Sequence, residues 1–89
     1  MWEEKDNQLQ KIFTFKDFVH AFSFMVRVAF ISEKMNHHPN WTNVWNKVMI
    51  SLCTHDAGDI VTEKDHKLSV AIDRIYEEMK DGFEPQAEN

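Results

Sequence analysis

Near the start of the chain, residues alternate with a period of two. Leu9, Lys11, Phe13 and Phe15 occupy one side, with Gln10, Ile12 and Thr14 on the other, the pattern of a strand with one covered face. With Trp2 to Glu4 before it and the polar pair Asp6-Asn7 between, the segment predicts two short strands joined by a turn, Trp2 to Glu4 and Gln8 to Phe15. The period then becomes helical. Thr14 with Asp17 three positions on reads as a capping-box start, and Phe18, Phe22, Met25, Val26, Ala29 and Phe30 follow helical spacing. A second stripe of Phe24, Val28, Ile31 and Met35 lies elsewhere around the cylinder, so this helix is apolar on more than the one face a sheet can cover. Helix-to-helix contact between subunits is the expectation. Pro39 disfavours α geometry at the residue before it, so the helix stops earlier and His37 and His38 fall in the loop leaving it.

From Val44 to Thr54 the period is two again. Val44, Val48, Ile50 and Leu52 share one face, with Trp45, Lys47, Met49, Ser51 and Cys53 on the other, which predicts one long strand with His55 at its end. A turn around Gly58 and Asp59 and a short fourth strand near Ile60 and Val61 follow. Thr62 with Asp65 repeats the capping pattern. Leu68, Ala71, Ile72, Ile75, Tyr76 and Met79 then form a helical stripe, Gly82 suits a C-terminal cap, and Glu84 to Asn89 read as a loose tail. The predicted class is α+β: an antiparallel sheet of three to four strands with two helices on one face. One domain covers residues 1–83.

Composition narrows the function. A chain of 89 residues buries only about 60% of its unfolded surface, and aromatic residues make up 12% of it, so some rings are expected to pack against other subunits. A homo-oligomer, dimer or tetramer, follows. The net charge of -5 argues against direct contact with nucleic acid. A single cysteine, Cys53, forms no internal disulfide, and the opening MWEEKDNQLQ lacks the basic and apolar regions of a secretion signal. The most apolar segment is broken by His20, Ser23 and Arg27, short of the roughly 18 residues a bilayer span needs. The reading is an intracellular protein, cytoplasmic or also nuclear, with no membrane role.

The chemistry-bearing residues cluster in Asn36-His37-His38-Pro39-Asn40-Trp41 and in Thr54-His55-Asp56 at the far end of the predicted strand. Histidine both gives and takes protons near neutral pH, so such a group suits a reaction that protonates a leaving hydroxyl while another proton is removed. Surface loops also contain histidines with no such role. Zinc is a further reading of three histidines, but the adjacent pair is not the i, i+4 arrangement and no cysteine pair or HExxH accompanies it. No metal and no cofactor are expected. His20 and His66 stand outside the cluster.

The runs Glu33-Lys34-Met35-Asn36-His37-His38-Pro39-Asn40-Trp41, Val44-Trp45-Asn46-Lys47-Val48, Thr54-His55-Asp56-Ala57-Gly58 and Thr62-Glu63-Lys64-Asp65 together resemble the signature of the pterin-4a-carbinolamine dehydratases. Upstream, Phe13-Thr14-Phe15-Lys16-Asp17-Phe18, Ala21-Phe22 and Arg27-Val28-Ala29 are similar to the same family. The resemblance implies dehydration of 4a-hydroxytetrahydrobiopterin to quinonoid dihydrobiopterin, a step in regenerating the tetrahydrobiopterin used by aromatic amino acid hydroxylases. It makes His37 and His55 the acid/base pair and His38 the residue that binds and orients the pterin. Asn36, Cys53, Thr54 and Asp56 match positions bordering the substrate.

Trp41 is read either as an aromatic wall for the pterin or as a core residue. Glu33 either orients a histidine or is a solvated helix carboxylate. Asp65 matches a family position and also caps the last helix. The resemblance further implies a second role, dimerisation cofactor of a homeodomain transcription factor through helix surface. Two departures stand out. The stretch from His55 to Asp65 is one residue longer than the family's common spacing, and the helix that usually precedes the first strand is not seen before Trp2, so a normally covered edge is expected to lie open.

Overall fold

A computed structural model describes residues 1–82. The order of elements is β1 (Glu3–Lys5), β2 (Gln8–Thr14), α1 (Phe18–Met35), β3 (Asn40–Val44), β4 (Lys47–Leu52) and α2 (Glu63–Gly82), with a 3₁₀ turn at His55–Ala57. The strands form one antiparallel sheet in the order β1-β2-β4-β3, and the fold is α+β as expected. The tail expected at 84–89 lies outside the described residues. Among the described residues, no helix is long and apolar enough to cross a membrane.

The first hairpin follows from Asp6 and Asn7, both left-handed (φ 54° and 62°). Two positive φ values are what a two-residue hairpin turn matching the strand twist requires, and Asp and Asn tolerate them. Leu9, Phe13 and Phe15 then point to the helices, and the register Leu9↔Leu52 and Phe13↔Val48 puts the apolar side chains of β2 and β4 on the same face. With Ala21, Phe24 and Val28 from α1 and Leu68, Ile72, Ile75 and Met79 from α2 they make the core. Phe13, Phe15, Phe24 and Tyr76 form a tilted and edge-on ring cluster with centroids 5.0–6.1 Å apart, the preferred geometry for aromatic contacts.

Three expectations are corrected and one open choice is settled. The long strand from Val44 to Thr54 is two strands: Trp45, left-handed at φ 51°, and Asn46 turn the chain between the paired residues Val44 and Lys47. Val44 therefore lies on the face opposite Val48. The fourth strand is accordingly β3, an edge strand on β4, while near Ile60 there is only an isolated bridge to Thr54. On α1, the stripe of Phe24 and Val28 is the buried one, whereas Phe18, Phe22, Val26 and Phe30 are exposed. The cap of α1 is Asp17, whose carboxylate accepts the His20 N–H at 2.8 Å, rather than Thr14.

Candidate active site

Two chain reversals bring the histidines together. At the end of α1, Asn36 takes the left-handed conformation (φ 54°). Its N–H donates to the Glu33 carbonyl at 3.1 Å and the His37 N–H to the Ser32 carbonyl at 3.0 Å, a Schellman closure in which Asn replaces the commoner Gly. This sets where His37 leaves the helix. Beyond β4, the Thr54 N–H donates to the Ile60 carbonyl at 2.8 Å, and the Asp59 and Gly58 N–H groups donate back to Thr54 and His55 at 3.0 Å each. Gly58 at φ 94° occupies backbone space that other residues rarely enter. The closed loop presents His55 at its outer edge.

Asp65 joins these two pieces. Its carboxylate is fully buried, and it accepts from His37 Nε2 at 2.6 Å, Thr54 Oγ1 at 2.8 Å and the Thr62 N–H at 2.8 Å. The last of these is the back-reaching half of a capping box, so one side chain caps α2, ties down the end of β4 and grips His37. Burial pushes this carboxyl up, but the hydrogen bonds from His37, Thr62 and Thr54 outweigh it and hold it below the ordinary carboxylate value. Facing an anion, His37 Nε2 must carry a proton, which leaves Nδ1 as its variable nitrogen.

The other two rings have looser partners of the same kind. His38 Nε2 meets Glu33 at 2.9 Å, and His55 Nδ1 meets Asp59 Oδ1 at 2.6 Å. The His55 and Asp59 side chains are 83% and 71% exposed, against 11% and 0% for His37 and Asp65, so solvent screens the outer pair and not the inner one. Each histidine thus has one nitrogen held by a carboxylate and one left for chemistry. His37, His38 and His55 line one cavity of about 340 Å³, together with Asn36, Cys53, Thr54 and Asp56.

Trp41 is not among that lining: it is half-buried, lies on the helix-covered face opposite Ile50, and packs on the core. Pro39 and Asn40, part of the local cluster in the sequence, and Lys64 also line the cavity, though the sequence reading gave none of them a role in the site. Asp59 was missed as well, although its i, i+4 spacing from His55 was a signal. Burial, with Asp59 and Asp65 nearby, pushes the Cys53 thiol above its ordinary value, so it stays protonated near neutral pH and is a poor nucleophile.

The model of the family described as pterin 4 alpha carbinolamine dehydratase matches residues 1–75. The chain belongs to this family. Two relatives from Prochlorococcus marinus, strains MIT 9312 and MIT 9515, are provisionally named pterin-4-alpha-carbinolamine dehydratase. They are 52% and 53% identical over 86% and 85% of this chain and 79% and 78% of their own length. A crystal structure of a transcriptional coactivator/pterin dehydratase from Brucella melitensis superposes with a TM-score of 0.80 at 39% identity, covering 84% of this chain and 81% of that one. A pterin dehydratase-like protein described as a RuBisCO assembly factor in the alpha-carboxysome shares the fold, with a TM-score of 0.69 at 23% identity over 85% and 87% of the two chains. The family and the names of these relatives support a pterin carbinolamine dehydratase at family level.

Proposed function

We propose that this protein dehydrates 4a-hydroxytetrahydrobiopterin to quinonoid dihydrobiopterin and water in the cytoplasm, as a step in tetrahydrobiopterin regeneration. The observation that carries the reading is the set of three imidazoles around one cavity, each with a carboxylate on one ring nitrogen. A volume of about 340 Å³ falls in the range of small-molecule sites. In the reaction a proton reaches the C4a hydroxyl, the N5 lone pair expels it as water to form the C4a=N5 bond, and the N5 proton is removed. One donor and one acceptor suffice, and the proton balance closes without a redox partner.

His37 and His55 take these two roles, and His38 orients the pterin. Asn36, Thr54, Cys53 and Asp56, on the same lining, supply polar contacts to the pterin's edge. A stopped-flow assay on freshly generated carbinolamine tests this. His37→Ala and His55→Ala should each lower kcat by roughly 10²–10⁴-fold. Wild-type rates in both variants would refute the assignment.

A second role is favoured by the outward face of α1, where Phe18, Val19, Phe22 and Phe30 are all about half exposed or more. A contiguous apolar face of this kind marks a protein contact, and its proposed occupant is the same face of another copy, giving a dimer or tetramer. The non-catalytic alternative, a transcription-factor partner role, would use this helix surface and leave the histidine cavity idle. Sedimentation at micromolar concentration should show an oligomer, and a monomer there would remove the self-association.

A further inference from the structure

Cys53, His55 and Asp59 are a different set from the three histidines. Each offers one ligand atom, and the three atoms lie within 4.8 Å of one another. All three line a second cavity of about 400 Å³, and Cys53 and His55 also line the first. The set therefore stands where the two hollows meet.

Main-chain bonds hold the spacing. The loop between Cys53 and Asp59 is closed by the Thr54 N–H to Ile60 bond at 2.8 Å and the Asp59 N–H to Thr54 bond at 3.0 Å, and Gly58 makes the reversal at φ 94°. His55 and Asp59 already meet at 2.6 Å through Nδ1 and Oδ1, and both are exposed enough to swing apart around an ion. Sulfur, imidazole and carboxylate with one open position are the donors of a three-ligand zinc centre, with metal-to-donor distances of about 2.0–2.3 Å. A hard ion such as magnesium or calcium would want oxygen throughout.

We infer that Cys53, His55 and Asp59 form a binding site for a zinc-like divalent ion at the edge of the histidine cavity, and that its occupancy stops proton transfer by His55. On binding, the thiol gives its proton to solvent and the thiolate, the imidazole and the carboxylate become ligands. A metal on one ring nitrogen leaves the proton locked on the other, so the ring no longer cycles between donor and acceptor. The inhibitory half rests on the dehydratase reading; the binding half does not.

The test titrates the metal-free chain with zinc ions against a chromophoric chelator, and separately with cobalt ions followed by absorbance. One zinc per chain is expected, and cobalt should show a sulfur-to-metal charge-transfer band. Cys53→Ser should abolish that band, and Cys53→Ser and Asp59→Asn should each weaken zinc binding by at least about tenfold, with circular dichroism checking the fold of both. No stoichiometric zinc, a cobalt spectrum without the thiolate band, or zinc affinity kept in Asp59→Asn but lost in His37→Ala would overturn the site. In the dehydration assay one equivalent of zinc should silence the intact chain. Zinc bound at these ligands with an unchanged dehydration rate would overturn the inhibition, whereas zinc binding in a chain that never dehydrates would keep the site and sink the dehydratase reading instead.

Discussion

Replacing Asp65 by Asn changes almost no volume and tests how much of the site depends on one buried charge. The carboxylate accepts three hydrogen bonds, and the amide of Asn has only one oxygen to offer. With that oxygen kept for Thr54 and Thr62, its NH₂ group faces His37 Nε2, and two donors oppose each other unless the ring changes tautomer. The ring then carries its proton on Nδ1 and can no longer accept one there. A hydrogen bond to a charged partner contributes roughly 1.5–3 kcal/mol, and relief of the buried charge offsets part of the loss. A net destabilisation of about 1–3 kcal/mol is expected, several degrees or more in Tm for a domain of this size.

The loss has a pH signature. The Asp65 carboxyl is held below its ordinary value in the folded chain, so its contribution is present in full above the unfolded pKa and disappears as pH falls through the folded one. The stability gap between wild type and Asp65→Asn should therefore be constant near neutral pH and close below about pH 4. In the stopped-flow assay kcat should fall by roughly 10²-fold with a smaller change in KM. A folded Asp65→Asn variant whose kcat lies within a factor of about 2 of wild type, or a stability gap unchanged in acid, would refute the reasoning.

Three other outcomes can be checked independently. Phe24→Ala removes a fully buried ring at the centre of the aromatic cluster and should cost about 3–5 kcal/mol by urea unfolding. Asn36→Ala places a β-carbon residue with no local hydrogen-bonding side chain at φ 54° and should cost about 1–2 kcal/mol, whereas Asn36→Gly should not; equal loss in both would point away from the backbone. Glu33→Gln weakens an exposed contact to His38, so kcat/KM should stay within about fivefold of wild type, and a larger drop in steady-state assays would mean that Glu33 meets the substrate itself.

The parts read correctly from the sequence are those where local chemistry leaves one solution. Asp6-Asn7 marks the first hairpin because few residues accept two positive φ values, and Pro39 bars α geometry at His38, so the first helix had to end before it; the left-handed Asn36 sets the actual stop. The turn at Trp45-Asn46 was hidden for the converse reason. Tryptophan is not a turn residue, and Val44, Val48, Ile50 and Leu52 keep an even spacing straight through the reversal, which imitates one strand.

The pairing of histidines with carboxylates was legible only as a list of candidates. Asp65 is 28 positions from His37, and nothing in spacing says that the start of α2 comes to rest beside the loop after α1. Which apolar stripe of α1 faces inward was likewise undecided, since both satisfy the helical period; the rings of Phe13, Phe15 and Tyr76 chose Phe24 by packing on it. Sequence by itself determined the elements, the loop histidines and the family resemblance, because these depend on near neighbours. Only the tertiary structure decided which face is buried, where the fourth strand lies and which anion holds each ring, because those depend on contacts between segments that are distant along the chain.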